Sequence, residues 1–483
     1  MDLIANVYLF IIFFLLAMVA DHLPFILTVK RINQTSRGSL ATIQSELIDD
    51  ETKQKILLSN SLAILKNSLL IIALTLFLVA LLVAAIQAGT LIESLNPSFL
   101  TNILISTTGI ALSVIAFASY FLIKKSISAK SNSDYTFSSR LLHRIALQSK
   151  AMAEVSFEMD NNFINKKGPG VSISPVFISG LARSGTTMLM RYLYESGQFR
   201  SLTYLDMPFV MMPNVWKKLS FRKVTGELKE RAHKDGIMVS FESPEAFEEV
   251  FWRVFCGDQY IGKDRLELQK TSKSVSKKFR DYIRNVILSA EKPEQNRYLS
   301  KNNNNILRLP GLFESFPDAR LIIPFRDPLQ HALSLLNQHL HFSEVQSKDK
   351  FSLDYMNWLG HFEFGLNQKP FHFADNEIFH KMHSANKMSL DFWLLSWKNY
   401  YNYAIENAGD KALFLSYEEF CKSPGTVLSV LFREIRVNAN ANDLKSFKPS
   451  EKQVGEYDQE LLKECQGLYR KLLNRFNIWY KSN

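Results

Sequence analysis

The chain has 483 residues, 57 Lys and Arg against 47 Asp and Glu, a formal net charge of +10 and three cysteines. Such a length calls for two or more parts. The cysteines (Cys256, Cys421, Cys465) lie far apart without a C-x-x-C, which excludes a zinc or redox pair and a disulfide framework and fits a reducing compartment.

The basic residues are scattered, with no zinc-finger spacing and no RNP-like aromatic motif, so no nucleic-acid partner is expected. The surplus suits the cytoplasmic loops of a membrane protein or a cleft for a highly anionic ligand. Three apolar stretches open the chain, at about residues 3–20, 69–88 and 103–123. Each is near the ~20 residues needed to cross a hydrocarbon core. The first has acidic Asp2 in place of a basic start, so it reads as a retained anchor and not a cleaved signal peptide. Gly89 to Asn102 holds Glu93 and no Lys or Arg, which makes the second and third stretches a helical hairpin.

Charge bias sets the direction. Lys30, Arg31 and Arg37, then Lys53, Lys55 and Lys66, then Lys124, Lys125 and Lys130 all belong on the cytoplasmic side. The expected topology has the N-terminus outside and everything after residue 124 in the cytoplasm, leaving the sequon at Asn33 unused. No charge lies mid-span, so the reading is a plain anchor. The expected organisation is a membrane anchor over 1–125 with three transmembrane helices, a connector over 126–170 and a soluble domain over 171–483. Within the connector, Ser138 to Asp160 has helical periodicity.

From residue 171 short apolar strands alternate with amphipathic helices, the pattern of an α/β fold with a parallel sheet flanked by helices. Strands are expected at 175–179, 298–301, 320–325 and 412–416. The first runs into Gly180-Leu181-Ala182-Arg183-Ser184-Gly185-Thr186-Thr187, which has the P-loop spacing G-x-x-x-x-G-K-[ST] with Thr186 at the lysine position. A loop of this kind converges backbone N–H groups on an anion, helped by the positive end of the next helix. Thr186 cannot neutralise a γ-phosphate, whereas the Arg183 guanidinium can fork onto phosphate oxygens. The loop therefore reads as one for a nucleotide without a triphosphate tail.

Asp206, in Tyr204-Leu205-Asp206-Met207-Pro208-Phe209, is flanked by apolar groups that would desolvate it toward a general base. It could instead cap the turn before Pro208. His233 and Glu245 are the next candidates for a base, and acids like Glu245 are common at helix starts for dipole reasons alone. Lys301 follows the second strand. Leu321-Ile322-Ile323-Pro324-Phe325-Arg326-Asp327-Pro328 is a strand and an Arg-Asp-Pro corner, with Ser334 two turns into the helix beyond. Asn302 to Asn305 reads as a loop. His380-x-x-His383 lacks an HExxH or carboxylate partner, so no metal site is expected. Phe351 to Phe373, rich in aromatics and poor in periodicity, reads as a substrate wall, a flexible lid or ordinary core. Ala412 to Phe420 closes the set with a strand and a Tyr417-Glu418 turn.

The loop from Gly180 to Thr187, the Arg326-Asp327-Pro328 corner with Ser334, and the Tyr417-Glu418 turn resemble, in the same order, the signature segments of sulfotransferases that use 3′-phosphoadenosine 5′-phosphosulfate (PAPS). The resemblance covers about two-thirds of the chain. It implies that Arg183, Ser184, Gly185, Thr186 and Thr187 hold the 5′-phosphosulfate, and that Arg326 and Ser334 hold the 3′-phosphate. Lys301 resembles the family lysine at the bridging oxygen. Asp206 sits where tyrosylprotein-type enzymes carry an acidic base, and His233 is similar to the histidine base of cytosolic aryl and steroid enzymes. The implied activity is sulfuryl transfer from PAPS, without metal, to a glycan, lipid or small-molecule acceptor. Because PAPS is made in the cytosol, the membrane orientation agrees with the donor, and a bacterial inner-membrane enzyme is expected. An ATP-using P-loop transferase or kinase, and a non-catalytic nucleotide-binding membrane protein, are the competing readings.

Overall fold

The computed structural model describes residues 2–44, 49–89, 97–128, 140, 142–164, 174–220, 229–230, 238–239, 243–374, 376–439, 446 and 455–482. They fall into two compact units, Met1–Leu142 and His143–Asn483.

In the first unit the helix Asp2–His22 packs along the helix Thr107–Ser128, and Phe25–Gln44 returns beside Asp50–Ala88. Tyr120 donates its hydroxyl to Asp21 Oδ2 at 2.6 Å, and Tyr8 donates to the Ala85 carbonyl at 2.6 Å. The 39 residues of Asp50–Ala88 begin at an Asp49 cap that accepts from Thr52 N. At 1.5 Å per residue this helix is about 58 Å long, roughly twice a hydrocarbon core. Its charges end at Lys66, and Leu69, Ile72, Leu76, Phe77, Val79 and Val83 beyond that point are exposed. Among the described residues two helices are long and apolar enough to cross a membrane, Ile4–His22 and Asp50–Ala88. The third apolar stretch is broken: Pro97–Leu104 and Thr107–Phe121 meet at 78°. Ser106 explains the break. Its hydroxyl donates to the Ile103 carbonyl at 2.6 Å and accepts from Gly109 N at 3.3 Å, a helix cap set inside an apolar run.

The second unit is built on five parallel strands: β1 (Val176–Ile178), β2 (Phe199–Arg200), β3 (Arg297–Lys301), β4 (Arg320–Phe325) and β5 (Ala412–Ser416), in the order β2-β3-β1-β4-β5. The four strands expected from the sequence are present, and the two-residue β2 is too short for any periodicity to reveal. Their apolar runs are buried because helices cover the sheet on both sides. Phe177 meets Phe279, Tyr298 and Phe316 in the core. The C-terminal helix Gln459–Lys481 packs on β5, with Trp479 Nε1 donating to the Phe414 carbonyl at 2.8 Å.

Strand order positions the site. The chain leaves β1 toward β2 on one side and leaves β4 toward β5 on the other. A crevice for ligands therefore opens at the carboxyl ends of β1 and β4, where the order reverses. Registration brings these ends level, since Ser179 N donates to the Ile322 carbonyl and Asn302 N to the Ile178 carbonyl, both at 2.9 Å.

Candidate active site

The turn after β1 packs too tightly for side chains at its glycines. A Cβ at Gly180 would lie 2.6 Å from Ser184 Oγ and 2.9 Å from the Pro324 carbonyl of β4. Gly185 has φ +92, and a Cβ there would lie 2.7 Å from the Tyr417 ring. Arg183 holds φ +72, a left-handed conformation that costs a non-glycine residue energy unless its surroundings enforce it. One enforcing contact is His331, whose Nε2–H donates to the Ala182 carbonyl at 2.7 Å. Burial drives the His331 pKa down to about 3, and nearby Arg326 and Arg183 add to the effect, so this imidazole is neutral. Thr186 and Thr187 are buried at the start of the helix Thr186–Glu195.

Arg326 leaves the end of β4, buried, with its guanidinium 4.9 Å above the centre of the Tyr417 ring. Asp327 caps the helix Pro328–Lys348, accepting from Gln330 N at 3.0 Å, and Pro328 sits at the first turn where its missing N–H costs nothing. Tyr400 and Tyr401 pin the two strand ends, donating to the Ser179 carbonyl at 3.1 Å and the Pro324 carbonyl at 2.8 Å. Glu418 accepts from Asp327 N at 2.8 Å and from the Tyr469 hydroxyl at 2.9 Å, and burial raises its pKa. The bond from Arg183 Nε to Ser334 Oγ, 3.4 Å, closes the circle. The glycine loop, the Arg-Asp-Pro corner and the Tyr-Glu turn thus lie against one another at the carboxyl ends of β1 and β4.

Lys301, at the end of β3, forms a second group. Its Nζ lies 3.0 Å from Glu245 Oε1 and 3.3 Å from Thr187 Oγ1, so it touches the loop helix and an acid at once. The side chains of Lys301 and Glu245 are each 10% exposed. Glu245 Oε1 also accepts from Ala246 N at 3.0 Å, and Tyr204 donates its hydroxyl to Glu245 Oε2 at 3.4 Å.

Asp206 is placed elsewhere. Its Oδ1 is 2.6 Å from Arg200, and its Oδ2 accepts from Thr203 N at 2.7 Å and Thr203 Oγ1 at 3.1 Å. Both oxygens are engaged by a buried arginine and a capping box, so this carboxylate closes the turn before Pro208. His233 lies outside the described residues.

Two features of the site take their role from partners distant in sequence. Asn302 to Asn305 is buried: Asn302 donates to Glu249 Oε2 at 2.7 Å, and Asn305 donates to Glu248 Oε1 at 3.0 Å. Arg308 completes this layer, wholly buried, with a bidentate pair to Glu249 at 2.7 and 2.9 Å between the rings of Trp252 and Tyr260. A hydropathy profile sees only polar residues there, while their partners come from sequence 50–60 positions away. The second feature is the run from Gly360 to Gly365. Its Phe362 and Phe364 are buried, as are Trp358 and Phe371, so these aromatics of the 351–373 stretch serve the core and not an open wall.

Residues 175–439, more than half of the chain, match the model described as the Sulfotransferase family. Among solved structures the chain is similar to the sulfotransferase STF9 from Mycobacterium avium, with 14% identity, a TM-score of 0.40 and coverage of 74% of this chain and 90% of that one. It is also similar to the sulfotransferase STF1 from Mycobacterium tuberculosis (11%, TM-score 0.36, 68% and 83% covered) and to a sulfotransferase from Alicyclobacillus acidocaldarius (13%, TM-score 0.29, 64% and 96% covered). No curated protein matches the sequence.

Proposed function

Because the chain belongs to the sulfotransferase family, we propose that its sulfuryl donor is PAPS and that it serves a hydroxyl or amine acceptor while anchored in a membrane. The observation that supports the donor is the contact between Arg183 and Ser334, which brings together two segments suited to the two anionic ends of this nucleotide. The residues fit such a ligand. Glycine at 180 and 185 leaves the backbone bare for an anion, Arg183 reaches Ser334, and Arg326 lies over the Tyr417 ring that packs against Gly185. Arg183 and the N–H groups of Ser184 to Thr187 would hold the 5′-phosphate, with Arg326 and Ser334 on the 3′-phosphate.

The transfer asks for an acceptor stripped of its proton, aimed in line with the breaking S–O bond, and positive charge at the leaving oxygen. Lys301, beside Thr187, is the candidate for that charge. Glu245 is the candidate base, because it is the acid held against Lys301. When Lys301 turns to the bridging oxygen, the Glu245 carboxylate is released from its ion pair to take the acceptor proton. The sulfuryl group passes to the acceptor oxygen or nitrogen, and the 5′-phosphate keeps the electron pair of the broken bond.

The exposed apolar half of Asp50–Ala88 and the helix Ile4–His22 support membrane anchoring. With the bent pair Pro97–Leu104 and Thr107–Phe121 counted as a third crossing, the lysines and arginines at 30–66 and 124–130 favour a bacterial inner membrane with the catalytic unit on the cytoplasmic side. An anchored enzyme is well placed to reach a lipid or glycan acceptor. The test is incubation of the detergent-solubilised full chain with sulfur-labelled PAPS and with lipid and glycan extracts of its host. Transfer of label without added metal is expected, and a clear preference for labelled ATP as donor would overturn the reading.

A further inference from the structure

Gly360-His361-Phe362-Glu363-Phe364-Gly365 is a short strap fixed at both ends. Gly360 has φ +75 and Gly365 φ +84, and a Cβ at either would run into a side chain, that of Glu249 or Gln346. Only glycine fits both positions. Between them the residues alternate: Phe362 and Phe364 are buried, while His361 and Glu363 are part exposed. The strap is tied to the residues that follow Lys301. Asn303 Nδ2 donates to Glu363 Oε1 at 2.9 Å, and Asn304 Nδ2 donates to the Gly360 carbonyl at 3.2 Å. His361 Nδ1 lies 3.5 Å from Glu363 Oε2. Among the described residues Nε2 of His361 has no hydrogen-bond partner, and 23% of the side chain is exposed.

This gives a second ion pair on a strap tied just beyond Lys301. The charged groups that act on His361 are Glu363, Lys301 and Glu245. Burial alone would lower the His361 pKa, but Glu363 outweighs it and holds the imidazole protonated above its usual range, with Glu363 itself kept well below the ordinary carboxylate range. Lys301 reaches the loop helix through Thr187, and the strap that carries His361 is tied to Asn303 and Asn304, two and three residues beyond Lys301.

We propose that His361, backed by Glu363 on the Gly360–Gly365 strap, donates a hydrogen bond through Nε2 to a non-bridging oxygen of the donor's sulfuryl group. The inference rests on PAPS being the donor. It makes His361 the group that distinguishes PAPS from adenosine 3′,5′-bisphosphate, which lacks the sulfuryl group, while both nucleotides share every other contact.

Calorimetric titration of the detergent-solubilised full chain with each nucleotide, at pH 6 to 9, tests it. A charge-assisted hydrogen bond is worth roughly tenfold or more in affinity. His361→Gln is expected to weaken PAPS about tenfold at pH 6.5, leaving adenosine 3′,5′-bisphosphate unchanged, which also shows that the site is folded. In the parent protein PAPS affinity falls as pH rises through the His361 pKa, and Glu363→Gln moves that fall to lower pH without altering the affinity for adenosine 3′,5′-bisphosphate. Equal losses for both nucleotides in His361→Gln, or a PAPS preference that ignores pH and Glu363→Gln, would overturn the inference. If neither nucleotide binds the parent protein, the PAPS assignment fails first.

Discussion

Arg183 Nε donates to Ser334 Oγ across 3.4 Å, joining side chains 151 positions apart in sequence. The loop after β1 and the helix after β4 are thereby held against each other. If they grip a nucleotide by its two anionic ends, Arg183→Ala and Arg326→Ala each remove one charged fork. Each variant is expected to bind adenosine 3′,5′-bisphosphate about 10- to 100-fold more weakly in calorimetry. Arg326→Lys should recover little, because an ammonium neither forks nor stacks on Tyr417 as the guanidinium does. Unchanged affinity in either alanine variant would remove the crevice from the donor site.

Glu245 and Asp206 separate by what they do, not by residue type. Glu245→Gln is expected to lower the rate of label transfer by about 10²–10⁴-fold, the usual cost of losing a general base. Its unfolding midpoint should fall as well, because Lys301 loses its buried partner, so the rate is taken on the folded fraction. Asp206→Asn should lower the midpoint without the loss of rate, because it breaks a buried pair with Arg200, a change that costs about 3–5 kcal/mol. Its remaining folded fraction should turn over normally. A normal rate for Glu245→Gln, measured with saturating donor, would return the search for the base to His233.

Much of this site was written locally. The glycine loop, the Arg-Asp-Pro corner and the Tyr-Glu turn each combine a strand end with residues of special backbone or charge, so their chemistry shows at short range. The relation of Glu245 to Lys301 does not, since it depends on a loop paired through the Thr203–Pro244 bridge, and neither segment signals the other. Asp206 is a similar case: its apolar neighbours in sequence suit a desolvated base, while its partners, Arg200 and Thr203, favour the other reading, a cap on the turn before Pro208. The break at Ser106 shows the same limit within the first unit, where one hydroxyl cap outweighs the hydropathy of the stretch around it.

Arg308 carries a stability prediction. Its guanidinium is fully buried and doubly bonded to Glu249, which also accepts from Asn302 directly after Lys301. Arg308→Ala leaves a buried carboxylate without its cation, a cost of about 3–5 kcal/mol. Arg308→Lys should rescue little of it, because one ammonium cannot reproduce the two parallel bonds and the contact with Gln269. Urea unfolding of the catalytic unit, followed by tryptophan fluorescence, reads both. A shift of the midpoint within error for Arg308→Ala would mean that the layer under Lys301 does not depend on this pair.

Gly185 joins conformation to binding. At φ +92, with the Tyr417 ring 2.7 Å from where a Cβ would stand, Gly185→Ala adds strain and a clash at the start of the loop helix. The loop is expected to shift, with affinity for adenosine 3′,5′-bisphosphate falling at least tenfold, a loss on the scale of one displaced charged hydrogen bond. Shortening the ring in Gly185→Ala/Tyr417→Leu relieves the clash but not the φ strain, so only part of the affinity should return. Full recovery would assign the whole effect to the ring.

His331 makes the fold sensitive to acid. Its pKa is held at about 3 by burial, whereas an exposed histidine titrates near 6.5. Between these values the unfolded chain binds a proton that the native state refuses, so stability is complete above about pH 6.5 and declines as pH falls. One proton of linkage corresponds to about 1.4 kcal/mol per pH unit once inside that window. His331→Gln keeps an N–H donor for the Ala182 carbonyl but cannot take up the proton. Its urea midpoint should therefore drop less between pH 6.5 and pH 5 than that of the parent chain, even if it starts lower at pH 7. Parallel declines in the two proteins would mean that other groups set the acid limb and that the neutral imidazole beneath the loop contributes nothing to it.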